Sequence, residues 1–413
     1  MDTIFIQSKN ASRQLALMTD EDRNAVLEKV ADRIENDIPQ LLAANEEDLK
    51  AMSPDNPLYD RLLLTRQRLE GIAADMRNVA HLPSPLGIVT EQRTLPNGLR
   101  LWRESVPFGV IGVIYEARPN VTFDVFSLCF KSGNACILKG GRDAYNSNLA
   151  AVNLLRDVLQ EQGVSQEAVT LLPANHEWVA RLLGAVGYVD LCIPRGGRRL
   201  IDFVRDTARV PVIETGAGVV NTYFDKEGDA EMGARIIGNA KTRRVSVCNA
   251  LDCLLVHEER LHDLPVLCRQ LAEKKVQIRA DEKAFAALSG TYPQELLVHA
   301  VPDDFGTEFM DYKIAVRTVQ NLGQAIDHIA RYGSGHSECI ITRSAETARQ
   351  FRQQVDAACV YWNAPTSYTD GAQFGLGAEI GISTQKLGPR GPMGLREICT
   401  YKWMIDGEGQ TRS

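Results

Sequence analysis

The 413 residues contain no C-x-x-C pair, no long apolar run, no surplus of positive charge and no repeat, and each absence closes off a class of protein. The nine cysteines, at 129, 136, 192, 248, 253, 268, 339, 359 and 399, lack the spacing of zinc or thioredoxin-like sites. No metal site is expected, and reduced thiols fit a cytoplasmic enzyme. Lys plus Arg is 46 against 53 Asp plus Glu, a net charge of -7, which argues against a nucleic-acid binder. The most apolar stretch, Val106–Tyr115, is too short and glycine-rich to cross a bilayer, and Met1–Gln7 lacks the basic segment and apolar core of a signal peptide. The dinucleotide fingerprint G-x-G-x-x-G is missing; Gly216-Ala217-Gly218-Val219-Val220-Asn221 lacks its third glycine, and no Walker A run occurs. Glycine at 32 and proline at 17 are near ordinary usage, so collagen-like and disordered chains are excluded too.

What is present is an ordinary globular composition long enough for two to three domains. Thr19 precedes an acidic turn and then Val26, Leu27, Val30, Ile34, Ile38, Leu41 and Leu42 at helical spacing, which predicts one amphipathic helix. A second starts at Thr65, with Leu69, Ile72, Met76 and Val79 on one face. Gly87–Thr94 and Leu99–Val106 flank Pro96-Asn97-Gly98, which predicts a hairpin closed by a tight Asn-Gly turn. Beyond it, apolar runs at 108–115, 135–139, 188–193 and 210–214 alternate with helical stretches at 121–131, 145–162 and 199–205. A second such block has runs at 251–256, 314–316, 338–341 and 358–361, and Ile398–Ile405 is a last extended segment. Alternation of this kind means an α/β fold with largely parallel sheets.

Two strand-to-helix turns carry glycines between cations: Lys139-Gly140-Gly141-Arg142 and Arg195-Gly196-Gly197. Each is either a phosphate cradle or a plain turn with a solvated basic rim. Cys248 follows Lys241, Arg243 and Arg244, and a cationic field favours the nucleophilic thiolate; a small buried thiol is the competing reading. Glu116, Arg118 and Asn120 come at the end of an apolar strand, where ligands bind in α/β folds, although Asn120 could simply cap the next helix. Glu214 closes an apolar run and His336 sits in Gly333-Ser334-Gly335-His336-Ser337-Glu338; a strand-end carboxylate and a hydrogen-bonded loop histidine are the plain alternatives.

Several long runs together resemble the aldehyde dehydrogenase superfamily and, more narrowly, the gamma-glutamyl phosphate reductase family. They are Val110-Ile111-Gly112-Val113-Ile114-Tyr115-Glu116-Ala117-Arg118-Pro119-Asn120-Val121-Thr122, Asn239-Ala240-Lys241-Thr242 ahead of Cys248-Asn249, and Gly335-His336-Ser337-Glu338. Gln373-Phe374-Gly375-Leu376-Gly377-Ala378-Glu379, Ser383-Thr384-Gln385-Lys386 and Gly391-Pro392-Met393-Gly394-Leu395 complete the set. The resemblance implies two αβ domains facing across a cleft plus a β-hairpin oligomerisation element. Residues 1–86 and 107–236 would bind NADPH, 237–370 would carry the nucleophile, 87–106 and 395–413 would be oligomerisation strands, and 371–394 would return toward the cofactor domain. It implies Cys248 as nucleophile and Asn120 in the oxyanion hole, with Lys139, Gly140, Gly141, Arg142, Arg195, Gly196, Gly197 and Glu308 on the cofactor. Arg118, Arg243, Arg244, Glu214 and His336 would serve substrate or phosphate. The implied reaction is NADPH-dependent reduction of L-glutamyl 5-phosphate through a Cys thioester, in proline biosynthesis, by a cytoplasmic homo-oligomer in transient contact with glutamate 5-kinase. Two rival readings are aldehyde oxidation by Cys248 with Glu214 as base, and a dinucleotide-binding scaffold without activity. Thr215-Gly216-Ala217 departs from the Leu-Gly-Gly of the oxidising relatives.

Overall fold

The structure is a computed structural model that describes residues 3–54, 56, 59–116, 118–216 and 218–412. Met1 and Asp2, and the motif members Ala117 and Ala217, lie outside the described residues. Contacts divide the chain into two compact units, Met1–Thr215 with Gly375–Gly381 and Met393–Ser413, and Gly216–Phe374 with Ile382–Pro392. The division falls at Thr215/Gly216, earlier than the 236/237 boundary expected. The expected return segment crosses between units at 374/375, 381/382 and 392/393.

The first unit opens with helices Thr3–Leu15, Asp20–Asn36, Ile38–Leu49, Tyr59–Leu62 and Arg66–His81. Thr19 caps as its sequence position requires: its hydroxyl accepts from Asp22 N at 3.1 Å while the Asp22 carboxylate accepts from Thr19 N at 3.3 Å. The single helix expected from Thr19 is two, because Asp37 leaves helical geometry and Pro39 sits in the first turn after it. Ile34, Ile38 and Leu41 nevertheless enter one core, which is why the periodicity reads through the break. Thr3–Leu15 was not anticipated, since Ser8, Ala11 and Ser12 form much of its buried face and carry little hydrophobic signal.

The hairpin pairs Val89–Thr94 with Arg100–Pro107, and Cys399–Asp406 adds a third antiparallel strand against Arg100–Pro107. Its turn differs from the expected one. Of Asn97 and Gly98, Gly98 alone has positive φ, +89°, and Gly98 N donates to Leu95 O at 2.9 Å. This is a type I turn with a left-handed glycine after it.

Four parallel strands form the main sheet, in the order Val169–Leu171, Ala135–Lys139, Val110–Tyr115, Leu191–Arg195. Every residue of Val110–Tyr115 and Ala135–Lys139 is buried, as parallel strands covered on both faces must be. The run at 210–214 is no strand but an isolated bridge of Val212 to Cys192, next to Pro211, which has no N–H to extend a ladder.

The second unit holds a parallel seven-stranded sheet, ordered Leu297–His299, Gln277–Ala280, Lys313–Val319, Cys253–His257, Asn221–Phe224, Ser337–Ile341, Cys359–Trp362. Separate apolar clusters, one around Leu254 and Ile314 and one around Leu255 and Phe351, serve its two faces. Among the described residues no helix is long and apolar enough to cross a membrane.

Asp48 ties two helices of the first unit together. Nearly buried, it accepts from Asn146 N at 3.0 Å, Asn146 Nδ2 at 2.9 Å, Ser147 N at 2.8 Å and Ser147 Oγ at 2.6 Å, which caps the helix Tyr145–Glu161. Asp48→Ala strands the Ser147 amide and is expected to cost about 3 kcal/mol, read as a lower urea midpoint; an unchanged midpoint contradicts it.

Candidate active site

In the second unit the helix Ala230–Thr242, capped by Asp229 through Met232 N at 2.8 Å, delivers the chain to the turn that bears Cys248. Arg243 and Arg244 are exposed just past its C-terminus, where cations complement the helix dipole. Asn249 is buried and clamps the turn: Nδ2 donates to Thr369 O at 2.8 Å and Ser367 O at 3.4 Å, and its carbonyl accepts from Thr366 Oγ1 at 2.9 Å. Gly218 presses on the turn from the other side. A Cβ at that position would lie 1.8 Å from the Cys248 carbonyl oxygen, so no other residue fits. Gly218 N in turn donates to Glu308 Oε1 at 3.1 Å. Glu308, Gly218 and Cys248 are therefore brought together, though Gly218 entered the sequence reading only as part of a failed fingerprint.

Burial separates Cys248 from the other thiols. Cys248 and Cys399 are partly exposed and the remaining seven are buried. Burial pushes Cys192, Cys268, Cys339 and Cys399 up to about 12 and raises Cys253 and Cys359; Cys129 is raised by its contact with Cys136 and by burial. Cys253 Sγ does have a histidine, His328 Nε2 at 3.6 Å, but this is no catalytic dyad. Arg317 donates to His328 Nδ1 at 2.9 Å, so the remaining nitrogen carries the hydrogen and donates to sulfur. Burial, with Arg317 adding to it, pushes His328 down to about 3. His336 is fully buried and pushed down to about 4 by desolvation; Nδ1 meets Ser337 Oγ at 2.8 Å, and Ser337 meets Thr369 Oγ1 at 2.7 Å. It is thereby joined to the segment that holds Asn249.

The first unit carries the other candidates. Asn120 is the first residue of the helix Asn120–Lys131, whose cap position is Pro119, so capping is not its role. Its Nδ2 donates to Asp124 Oδ2 at 2.9 Å. Asp124 is pushed up to about 6 by desolvation, opposed by Arg195 and by Asn120 itself. Lys139 ends its strand nearly buried, with Nζ donating to Gly140 O at 3.0 Å and Ala174 O at 3.1 Å; desolvation and then Arg142 pull its pKa down. Arg142 is exposed at the start of a 3-10 turn, and a Cβ on Gly140 would lie 2.3 Å from Asn148 Nδ2. At the second turn, a Cβ on Gly196 would meet Leu200 at 2.8 Å and Glu116 at 2.9 Å, and Gly197 N donates to Glu116 Oε2 at 3.2 Å. A carboxylate thus occupies one amide of the expected anion cradle. Glu214 lies 3.7 Å from Arg205 NH1, and Arg118 is exposed.

The fold is of the aldehyde dehydrogenase-like α/β class. Over 98% of this chain and 97% of the other, the fold matches the propionaldehyde dehydrogenase of Rhodopseudomonas palustris, solved with bound CoA and an acylated cysteine, with a TM-score of 0.70 at 17% identity. No protein-family model matches the chain. It is 60% identical over 408 residues to the gamma-glutamyl phosphate reductase of Bacteroides thetaiotaomicron, covering 99% of this chain and 98% of that one. The gamma-glutamyl phosphate reductase of Thermotoga maritima matches with a TM-score of 0.95 at 39% identity, over 99% of both chains. The chain belongs to the gamma-glutamyl phosphate reductase family.

Iodoacetamide at neutral pH is expected to label Cys248 at least roughly tenfold faster than any other cysteine, as read by peptide mass spectrometry. Comparable labelling of Cys399 would show that exposure does not single out Cys248.

Proposed function

We propose that the protein reduces L-glutamyl 5-phosphate to L-glutamate 5-semialdehyde and phosphate with NADPH, as a step of proline biosynthesis. The observation that carries this reading is the 60% identity, over nearly the whole of both chains, to a relative named gamma-glutamyl phosphate reductase. Cys248 attacks the acyl carbonyl, with Asn120 and the Cys248 amide supporting the oxyanion. Arg243 or Arg244 offsets charge on the departing phosphate, and the acyl group stays on sulfur as a thioester. NADPH, when bound, supplies the hydride. Its 2'-phosphate is assigned to Lys139 and Arg142, its diphosphate to the turn Arg195–Gly197 with displacement of Glu116 from the Gly197 amide, and its nicotinamide ribose to Glu308. Scission of the carbon–sulfur bond then releases the aldehyde and returns the Cys248 thiolate. Glu214, beside Arg205, is assigned to substrate orientation and not to water activation.

Assembly is assigned to the three-stranded sheet, which leaves Val89–Thr94 largely exposed and sets Arg93 over Trp403 at 5.2 Å and Arg103 over Tyr401 at 4.6 Å. A cytoplasmic homo-oligomer that takes its acyl phosphate from glutamate 5-kinase completes the proposal.

The deciding assay is the reverse reaction, phosphate-dependent NADP reduction with glutamate 5-semialdehyde. Turnover that does not need phosphate would instead mean aldehyde oxidation. Cys248→Ala is expected to abolish activity with NADPH affinity nearly intact, while Cys253→Ala stays close to wild type. The double variant Lys139→Ala/Arg142→Ala is expected to weaken NADPH by roughly tenfold or more per lost contact and NADH far less, since a charge-assisted bond contributes about 1.5 to 3 kcal/mol. Equal weakening of both nucleotides, measured as dissociation constants at two ionic strengths, would move the 2'-phosphate to another turn.

A further inference from the structure

The second unit buries a lysine and an aspartate that the reaction above leaves unused. Lys241, fully buried near the end of the helix that leads to Cys248, has its Nζ 3.8 Å from Asp252 Oδ1 and 5.9 Å from the centre of the Phe309 ring. Among the described residues Nζ makes no hydrogen bond. Asp252, itself 2% exposed, is the carboxylate that acts on it most strongly, with Asp311 a lesser one.

Asp252 is placed where the loops of the site converge. Oδ1 accepts from Phe309 N at 3.1 Å and Oδ2 from Val220 N at 3.4 Å. Phe309 follows Glu308, and Val220 lies two residues past Gly218, the residue that touches both Glu308 and the Cys248 carbonyl. The Asp252 main chain adds to the same junction, with its N–H donating to Val220 O at 3.0 Å and its carbonyl accepting from Ala315 N at 2.8 Å. Both carboxylate oxygens thus face N–H donors, an arrangement that favours the ionised form, because a hydrogen bond to a charged oxygen is stronger than one to a neutral carboxyl. Burial pushes Asp252 up to about 7, and Lys241 is the largest influence opposing it. Without that ammonium the ionised acid is favoured less and its bonds to the two loops weaken.

We propose that Lys241 and Asp252 are positioning residues: the pair holds the Glu308 loop and the Gly218 loop in register beside Cys248, and so sets where the reduced nicotinamide stands relative to the acylated thiol. This rests on the assignment of Glu308 to the cofactor and of Cys248 to the nucleophile.

The test uses the full-length enzyme in five forms: wild type, Glu308→Gln, Lys241→Met, Asp252→Asn and the double variant Lys241→Met/Asp252→Asn. For each, KM for NADPH, kcat, the primary isotope effect with 4-deuterated NADPH and the melting temperature are measured. Lys241→Met and Asp252→Asn are expected to raise KM for NADPH tenfold or more and to increase the isotope effect, as Glu308→Gln does, since a misplaced hydride donor makes its transfer rate-limiting. A lowered melting temperature alone, with wild-type KM and isotope effect, overturns the proposal and leaves the pair a packing feature. If neither single variant folds, the double variant carries the same criterion, because it leaves no uncompensated buried charge. A Glu308→Gln enzyme with wild-type values overturns the cofactor assignment of Glu308 and the proposal with it; an affected Glu308→Gln beside a silent pair overturns the pair alone.

Discussion

The approach of Gly218 to the carbonyl of Cys248 governs the second unit. Where a Cβ would come to 1.8 Å of that oxygen, two backbone segments touch without an intervening side chain, and everything near the thiol is arranged around the contact. The amide of the same glycine is taken by Glu308, so the carboxylate and the thiol-bearing turn are referred to one backbone position. Asn249 fixes the far side of the turn through Thr366, Ser367 and Thr369. Held on one side by a backbone approach and on the other by the bonds of the buried Asn249, the Cys248 turn has its placement fixed, which is the condition that the proposed nucleophile needs to meet its target in one geometry.

Reactivity among nine chemically identical thiols is then decided by surroundings. Desolvation makes the thiolate costly at Cys192, Cys253, Cys268, Cys339 and Cys359, and at Cys253 it also neutralises the histidine that proximity alone would promote to a base. A Cys–His pair at 3.6 Å looks catalytic on distance; the direction of the hydrogens, fixed by Arg317, makes it structural.

The features that the sequence announced are those with a local cause. Thr19 and Thr65 cap because a hydroxyl can reach the amide three residues on, and both are legible as such. Asn221–Phe224 was missed because it begins with buried Asn221 and Thr222, whose place in the sheet is secured by distant Glu338, a partner no local window contains. The run at 210–214 has strand-like apolar residues, yet Pro211 withholds the donor that a ladder needs. For the site, residue types around Cys248 and the glycine-cation turns were visible. The bond of Gly197 N to Glu116 and the clamp on Asn249 were not, because each joins segments far apart in the chain, and the Lys241–Asp252 pair was not, because the irregular Cys248 turn between them has no period from which a contact could be read.

Asn120 and Lys139 share a device that sets them apart from Lys241. Asn120 Nδ2 has two hydrogens; one goes to Asp124, which orients the amide, and the oxyanion role proposed above would use the other. Lys139 has three; two go to the carbonyls of Gly140 and Ala174, which aim the ammonium, and the proposed bond to the 2'-phosphate would use the third. Partial commitment fixes direction before a ligand arrives, so the reorganisation that a free side chain would undergo on binding is already complete. The surroundings of Lys139 also pull its pKa down, through burial and through Arg142. Among the described residues Lys241 makes no hydrogen bond to a carbonyl, and the carboxylate nearest it is Asp252, so its charge serves Asp252 and the loops that Asp252 holds. The same residue type is thus aimed by backbone carbonyls in one unit and set against a buried carboxylate in the other, and what distinguishes the two is how many of its hydrogens the protein has already engaged.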